Sequence, residues 1–136
     1  MIAVEVQHFL GRARDFLKGM DFLKDDLTGF RFSSALLGIH GAISYCDALR
    51  IGLGSASVSS DDHGSAAKDL RSLLASKKFE ESRGADRLER LLSKKSRIAY
   101  ARDAAGEVEI KQIVQQAERF AAWAESAGKA LKIEGW

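Results

Sequence analysis

Apolar positions recur every three to four residues along most of the chain, the spacing that places them on one face of an α-helix. The first such face is formed by Phe9, Ala13, Phe16, Met20, Leu23 and Leu27. Cations such as Arg12 and Lys18 fall off this face. The pattern predicts a long amphipathic helix that ends near Thr28 and Gly29, because these residues weaken helix propagation and favour a turn.

The second segment is apolar on more than one side. Its main face is formed by Ala35, Ile39, Ala42, Cys46, Leu49 and Leu53. Leu36 and Ile43 extend the apolar surface around the helix, which predicts a central helix or one at an oligomer interface. Gly38 and Gly41 each cost about 1 kcal/mol of helix propensity relative to alanine, so we expect a neighbouring helix to approach closely there.

Three further helices complete the pattern. The third carries Ala66, Ala67, Leu70, Leu73 and Leu74 inward, the fourth runs over about 86–102, and the last follows 103–106. The inward face of the last helix is formed by Ile110, Ile113, Ala117, Phe120, Ala124 and Leu131. With 136 residues and no proline, the chain predicts one all-α domain over 1–136, an up-and-down bundle of four to five helices.

Charge and cysteine content narrow the function classes only a little. Lys and Arg number 21 against 19 Asp and Glu, and a net charge of +2 neither requires nor excludes nucleic acid. The single cysteine forms no intrachain disulfide, and no zinc-site spacing is present. No apolar stretch is long enough to cross a membrane. We expect a soluble cytoplasmic protein without cofactor.

The segment 94–102 concentrates cations in the fourth helix. On a helical wheel Lys95 and Arg102 fall within the apolar arc that includes Leu88 and Leu91, Arg97 falls opposite, and Tyr100 lies on the flank. A cation that faces a core is costly unless it is paired, reaches solvent, or lines a polar cleft. The alternative is that the helix has partly left the core by Lys95.

The second helix also carries a polar strip, formed by His40, Ser44 and Asp47 at spacing i, i+4, i+7. This strip can line a cleft with the cations of the fourth helix. Alternatively, Asp47 pairs with a cation of the first or fourth helix and His40 is a hydrogen-bonded interior histidine. Cys46 is predicted to be a small buried hydrophobic residue.

A metal centre is not predicted. Glu5 and His8 have the Glu-x-x-His spacing of carboxylate-bridged di-iron bundles, but that site needs a second such motif and two further carboxylates, which are not apparent. His63 lies in a loop before the third helix, where an exposed position is the simpler interpretation than an active-site or capping role.

The arrangement resembles the HEPN family of small helical domains over nearly the whole chain. The resemblance lies in the opening helix 6–17, the central helix 32–42, the loop residue His63, and the stretch 91–100 before the last helix. Active members of that family resemble metal-independent ribonucleases and are commonly dimeric. Their sequence motif is an Arg followed after four to six residues by a His. Here Lys95 stands at the Arg position and Tyr100 at the His position. Lysine lacks the guanidinium fork, and a tyrosine hydroxyl, with a reference pKa of about 10, is a poor general base.

The resemblance implies an HEPN-like module that binds RNA or nucleotide phosphates with a degenerate catalytic motif. It also implies a homodimer and pairing with a nucleotidyltransferase-type antitoxin. The binding residues predicted are Lys95, Arg97, Tyr100, Arg102, Ser44 and Asp47. One alternative is a divergent metal-independent ribonuclease toxin that uses Lys95 and Tyr100 as catalytic residues. Another is a homodimeric helical interaction scaffold without nucleic acid.

Overall fold

A computed structural model describes residues 2–55, 63–100 and 106–136, with the backbone alone for Leu27, Thr28, His63, Ser96, Arg97, Ala99 and Tyr100. The helices are α1 (Ile2–Leu23), α2 (Leu27–Gly52), α3 (His63–Ser76), α4 (Arg83–Tyr100) and α5 (Glu107–Ala130). The described residues contain no strand. The predicted all-α helical bundle is therefore confirmed.

The turn between α1 and α2 comes earlier than the sequence pattern predicted. Helix α1 ends at Leu23, and the side chain of Asp26 caps α2 by accepting a hydrogen bond of 3.1 Å from the backbone N–H of Gly29. Gly29 thus lies in the first turn of α2, and the helix is kinked at Phe30 (φ −127°, ψ 31°). An aspartate cap outweighed the helix-breaking tendency of Thr28 and Gly29.

Helix α2 lies at the centre of the bundle, as its apolar surface predicted. Helices α1, α3, α4 and α5 all pack against it. A β-carbon added at Gly38 would lie 2.8 Å from the Met20 sulfur and 3.0 Å from the Ala117 β-carbon, and one added at Gly41 would overlap Leu17. The close helix approach predicted at both glycines is confirmed.

Helix α5 runs parallel to α2 and antiparallel to α1. Along α2, Gly38 lies beside Ala117 of α5, and the Tyr45 hydroxyl donates to Glu125 of α5 at 2.8 Å. Arg14 of α1 donates two hydrogen bonds of 2.9 Å to the same Glu125 carboxylate. This network joins three helices, and the hydrogen bonds from Arg14 hold the pKa of Glu125 below its usual value.

Helix α3 also runs parallel to α2, so the predicted alternation of helix direction is interrupted once among the described helices, between α2 and α3. The buried Cys46 sulfur lies 3.9 Å from the carbonyl oxygen of Ala66, and Arg50 one turn later pairs with Asp69. Helix α4 then runs back along α3. The five helices surround one apolar cluster, whose largest fully buried members are Phe120, Leu10, Met20, Ile39, Leu49, Leu70, Leu74, Leu88, Leu91, Ile110, Ile113 and Val6.

Candidate functional site

Helix α4 separates its charges onto two sides. Arg83, Arg87, Arg90 and Lys94 follow one another at i, i+4, i+7 and i+11, so they lie on one side of the helix, which we call the α4 basic strip. Arg83 and Arg90 are exposed, whereas Arg87 and Lys94 are half-buried. None of the four has a side-chain ion pair with another described residue.

The acids of α4 face α3 instead. Asp86 and Glu89 each lie 2.6 Å from the same Arg71 nitrogen, which joins α3 to α4. The hydrogen bonds to these two carboxylates raise the pKa of Arg71, so the guanidinium stays charged. Arg71 thus compensates part of the negative charge of these two acids, and the α4 basic strip lies about 100° away from them around the helix.

An open groove of about 430 Å³ lies where the beginning of α4 meets α5. Its lining consists of Glu81, Arg83, Arg87, Arg119, Ala122, Trp123 and Ser126, and we call it the arginine groove. Three guanidinium groups face one carboxylate across this surface. Arg119 and Trp123 are one turn apart on α5, so they point to the same side of that helix.

Trp123 forms part of the groove wall and is half-buried. Its indole N–H donates a hydrogen bond of 3.1 Å to the carbonyl oxygen of Glu81, which fixes the plane of the ring. Gly84 packs against the fused part of the ring so closely that a side chain there would overlap it. The positive N-terminal end of α4 therefore lies directly beside the tryptophan.

The structure describes only part of the predicted site on α4. Lys95 is half-buried on the same helix face as the buried residues Leu88 and Leu91, as the wheel predicted. The side chains of Arg97 and Tyr100, and the whole of Arg102, lie outside the described residues. The role predicted for these four residues stays a prediction.

Ser44 and Asp47 have surroundings of their own. Ser44 is only 4% exposed, which leaves little of it accessible to a ligand. An Asp47 oxygen lies 3.5 Å from Arg50 on the same helix, while the Arg50 Nε donates to Asp69 of α3 at 2.7 Å. We call Asp47, Arg50 and the half-buried Asp69 the buried charge cluster, after its central residue Arg50. The described ion pairs of Asp47 lead to Arg50 rather than to a cation of α4.

Burial raises the pKa of the Asp47 carboxyl to about 6, against the opposing effect of the positive charges of Arg50 and, more weakly, Arg12. Arg50 compensates the Asp47 charge only in part, because its shorter contact is with Asp69. The third member of the predicted strip, His40, is half-buried, with its ring 5.8 Å from that of Phe16.

Sequence reasoning missed the groove residues Arg83, Arg87, Arg119 and Trp123, and it missed Arg50. A signal for the α4 basic strip was present, because its four cations have helical spacing. The sequence has no such signal for the contribution of α5, because Arg119 and Trp123 form part of a groove only when α4 packs beside them. Arg50 interrupts the apolar run Ala48-Leu49-Arg50-Ile51, a pattern typical of a buried paired cation.

Within the described ranges, no three side chains among histidine, cysteine and the acids lie together as a metal ion would require. Of the helices described, none combines the length and apolar character needed to cross a membrane. Comparison with known proteins found no matching family model, no similar curated protein and no similar solved structure. The resemblance to the HEPN family therefore stays a prediction.

Proposed function

We propose that this protein binds RNA or nucleotide phosphates through the α4 basic strip and the arginine groove. One observation carries the proposal: the acids of α4 pair with Arg71 of α3, whereas the four cations of the α4 basic strip make no ion pair with a described residue. Guanidinium groups bind phosphate oxygens with two parallel hydrogen bonds, so a row of arginines is suited to a phosphate backbone.

The dimensions of the strip support a ligand with several phosphates. Arg83 and Lys94 are eleven residues apart on one helix, which corresponds to about 16 Å along the axis. A strip of this length can contact more than one phosphate of a nucleic-acid strand. The modest total charge of +2 is compatible with such binding, because the local arrangement of cations determines the contact.

The proposal retains an HEPN-like module as the functional class, with a homodimer and a nucleotidyltransferase-type antitoxin as its proposed partners. It moves the main binding surface toward the beginning of α4, where the arginine groove supplies the guanidinium groups that Lys95 lacks. Lys95 and Tyr100 remain the residues on which the alternative of a ribonuclease toxin depends.

Fluorescence anisotropy with an end-labelled single-stranded RNA tests the proposal. We expect the charge reversals Arg87→Glu and Arg119→Glu together to weaken binding at least tenfold in low salt. The matched control reverses the exposed Lys18 and Lys68, which changes the net charge equally, and should alter affinity less than twofold. Binding should also weaken steeply as salt rises, because cations at phosphates release counterions.

Equal weakening by both pairs of substitutions would contradict the proposal, since it would mean that net charge alone determines affinity. The absence of RNA binding by the unmodified protein would also overturn it. Analysis of the RNA recovered after the titration distinguishes a binding module from the alternative, a ribonuclease. Metal-independent cleavage that is lost in Lys95→Ala and Tyr100→Phe would establish a ribonuclease in place of a binding module.

A further inference from the structure

Trp123 has a fixed indole ring, and arginine side chains line the same groove. The hydrogen bond to Glu81 and the contact with Gly84 hold the indole from one edge and one face. Phe120, fully buried one turn earlier, lies against it with ring centroids 5.6 Å apart. Trp123 is half-buried and also lines the arginine groove. Part of an aromatic side chain is thus held in place beside solvent.

The groove places this aromatic surface among groups that bind phosphate. Arg83, Arg87 and Arg119 line the same groove as Trp123, and Ser126 adds a hydroxyl that can donate or accept a hydrogen bond. A nucleotide joins a flat aromatic base to a negatively charged phosphate, so its two parts match the two kinds of surface present. Aromatic side chains bind bases of any sequence by stacking, because every base has a π face.

We propose that Trp123 is a stacking platform for an unpaired nucleobase whose adjoining phosphates are held by Arg83, Arg87 and Arg119. This inference rests on the proposed function and specifies its ligand as single-stranded RNA. Bases inside a duplex are stacked on one another and present only their edges, so a duplex cannot place a base face against Trp123. The two remaining cations of the α4 basic strip then extend the phosphate contacts along α4 in the direction away from the stacked base.

Strands that differ only in their bases test this inference on the unmodified protein. The probes are a 12-nucleotide single-stranded RNA, the same strand with its central bases removed, and a duplex of equal length. We expect the complete strand to bind at least tenfold more tightly than the abasic strand. Because the chain has two tryptophans, Trp136→Phe leaves Trp123 as the sole indole, and the complete strand should quench its fluorescence in step with binding.

Equal affinity for the complete and abasic strands, without quenching, would overturn the stacking role while leaving the phosphate-binding surface intact. Failure of every probe to bind would overturn the proposed function itself, so the two failures are distinguishable. The Trp123→Leu variant should keep its affinity for the abasic strand and lose the preference for the complete one. If that variant does not fold, the comparison of strands on the unmodified protein decides the question alone.

Discussion

The buried charge cluster shows how one cation serves two carboxylates unequally. Arg50, only 7% exposed, contacts Asp69 at 2.7 Å and Asp47 at 3.5 Å. A buried carboxylate without full compensation favours its protonated form, which explains why the pKa of Asp47 is raised to about 6. The charged form of Asp47 therefore opposes folding at neutral pH, and its protonation favours the folded state.

This assignment gives a pH dependence with a definite sign. The folded-state pKa of Asp47 is about 6 against a reference of 3.8, so the native state binds its proton more tightly than the unfolded chain. Relative to an Asp47→Asn variant, we expect the unmodified protein to lose about 2 kcal/mol of unfolding free energy between pH 4 and pH 7. Urea denaturation across that range measures the difference between the two proteins.

The lowered pKa of Glu125 acts in the opposite direction, but it is common to both proteins and cancels in the comparison. A difference in unfolding free energy that stays constant with pH would contradict the assignment. A difference that favours the unmodified protein more at pH 7 than at pH 4 would contradict it too.

At the level of helices, close packing determines where α1, α2 and α5 meet. Gly38 lies between Met20 of α1 and Ala117 of α5, so it has a neighbour on each side. Gly11, by contrast, is an exposed residue of α1, and a β-carbon added there would meet nothing within 4 Å. A comparison of alanine substitutions at these two glycines therefore distinguishes the effect of helix propensity from the effect of packing.

The matched substitutions Gly38→Ala and Gly11→Ala should change stability in opposite directions. Alanine at position 38 gains helix propensity but overpacks a buried contact, and we expect a net loss of about 1–3 kcal/mol of unfolding free energy. Alanine at position 11 should stabilise the protein by about 0.5–1 kcal/mol. Thermal and denaturant unfolding measure both. Stabilisation of similar size at the two positions would show that α1 and α5 do not approach α2 so closely.

Most of the helix arrangement was predictable because it follows from apolar periodicity. The central position of α2 was confirmed for that reason, and the close approach at Gly38 and Gly41 was confirmed because a costly glycine inside a helix indicates a neighbour that needs the space. The end of α1 was misplaced because the side-chain cap from Asp26 competes locally with the turn tendency of Gly29. The parallel course of α2 and α3 was not predictable, since periodicity describes the face of a helix and carries no information on its direction.

At the level of the whole molecule, charge distribution is more informative than total charge. A net charge of +2 hides an arrangement in which the acids of α4 pair with Arg71 of α3 while the α4 basic strip makes no ion pair with a described residue. The sequence indicated α4 as the basic helix, but the binding site was predicted at 94–102 rather than at the beginning of the helix. The arginine groove could not be predicted, because it exists only where α4 and α5 pack together.

Nuclear magnetic resonance can locate the binding surface without any substitution. In a titration of the isotope-labelled protein with single-stranded RNA, we expect the largest shifts in the backbone amides of 83–94 and 119–126. The Nε–Hε resonances of Arg83, Arg87 and Arg119 should move with them, because these groups are proposed to donate to phosphate oxygens. Shifts that cluster instead around Arg71 on α3, or on α1, would contradict the assignment of the α4 basic strip and the arginine groove as the RNA-binding surface.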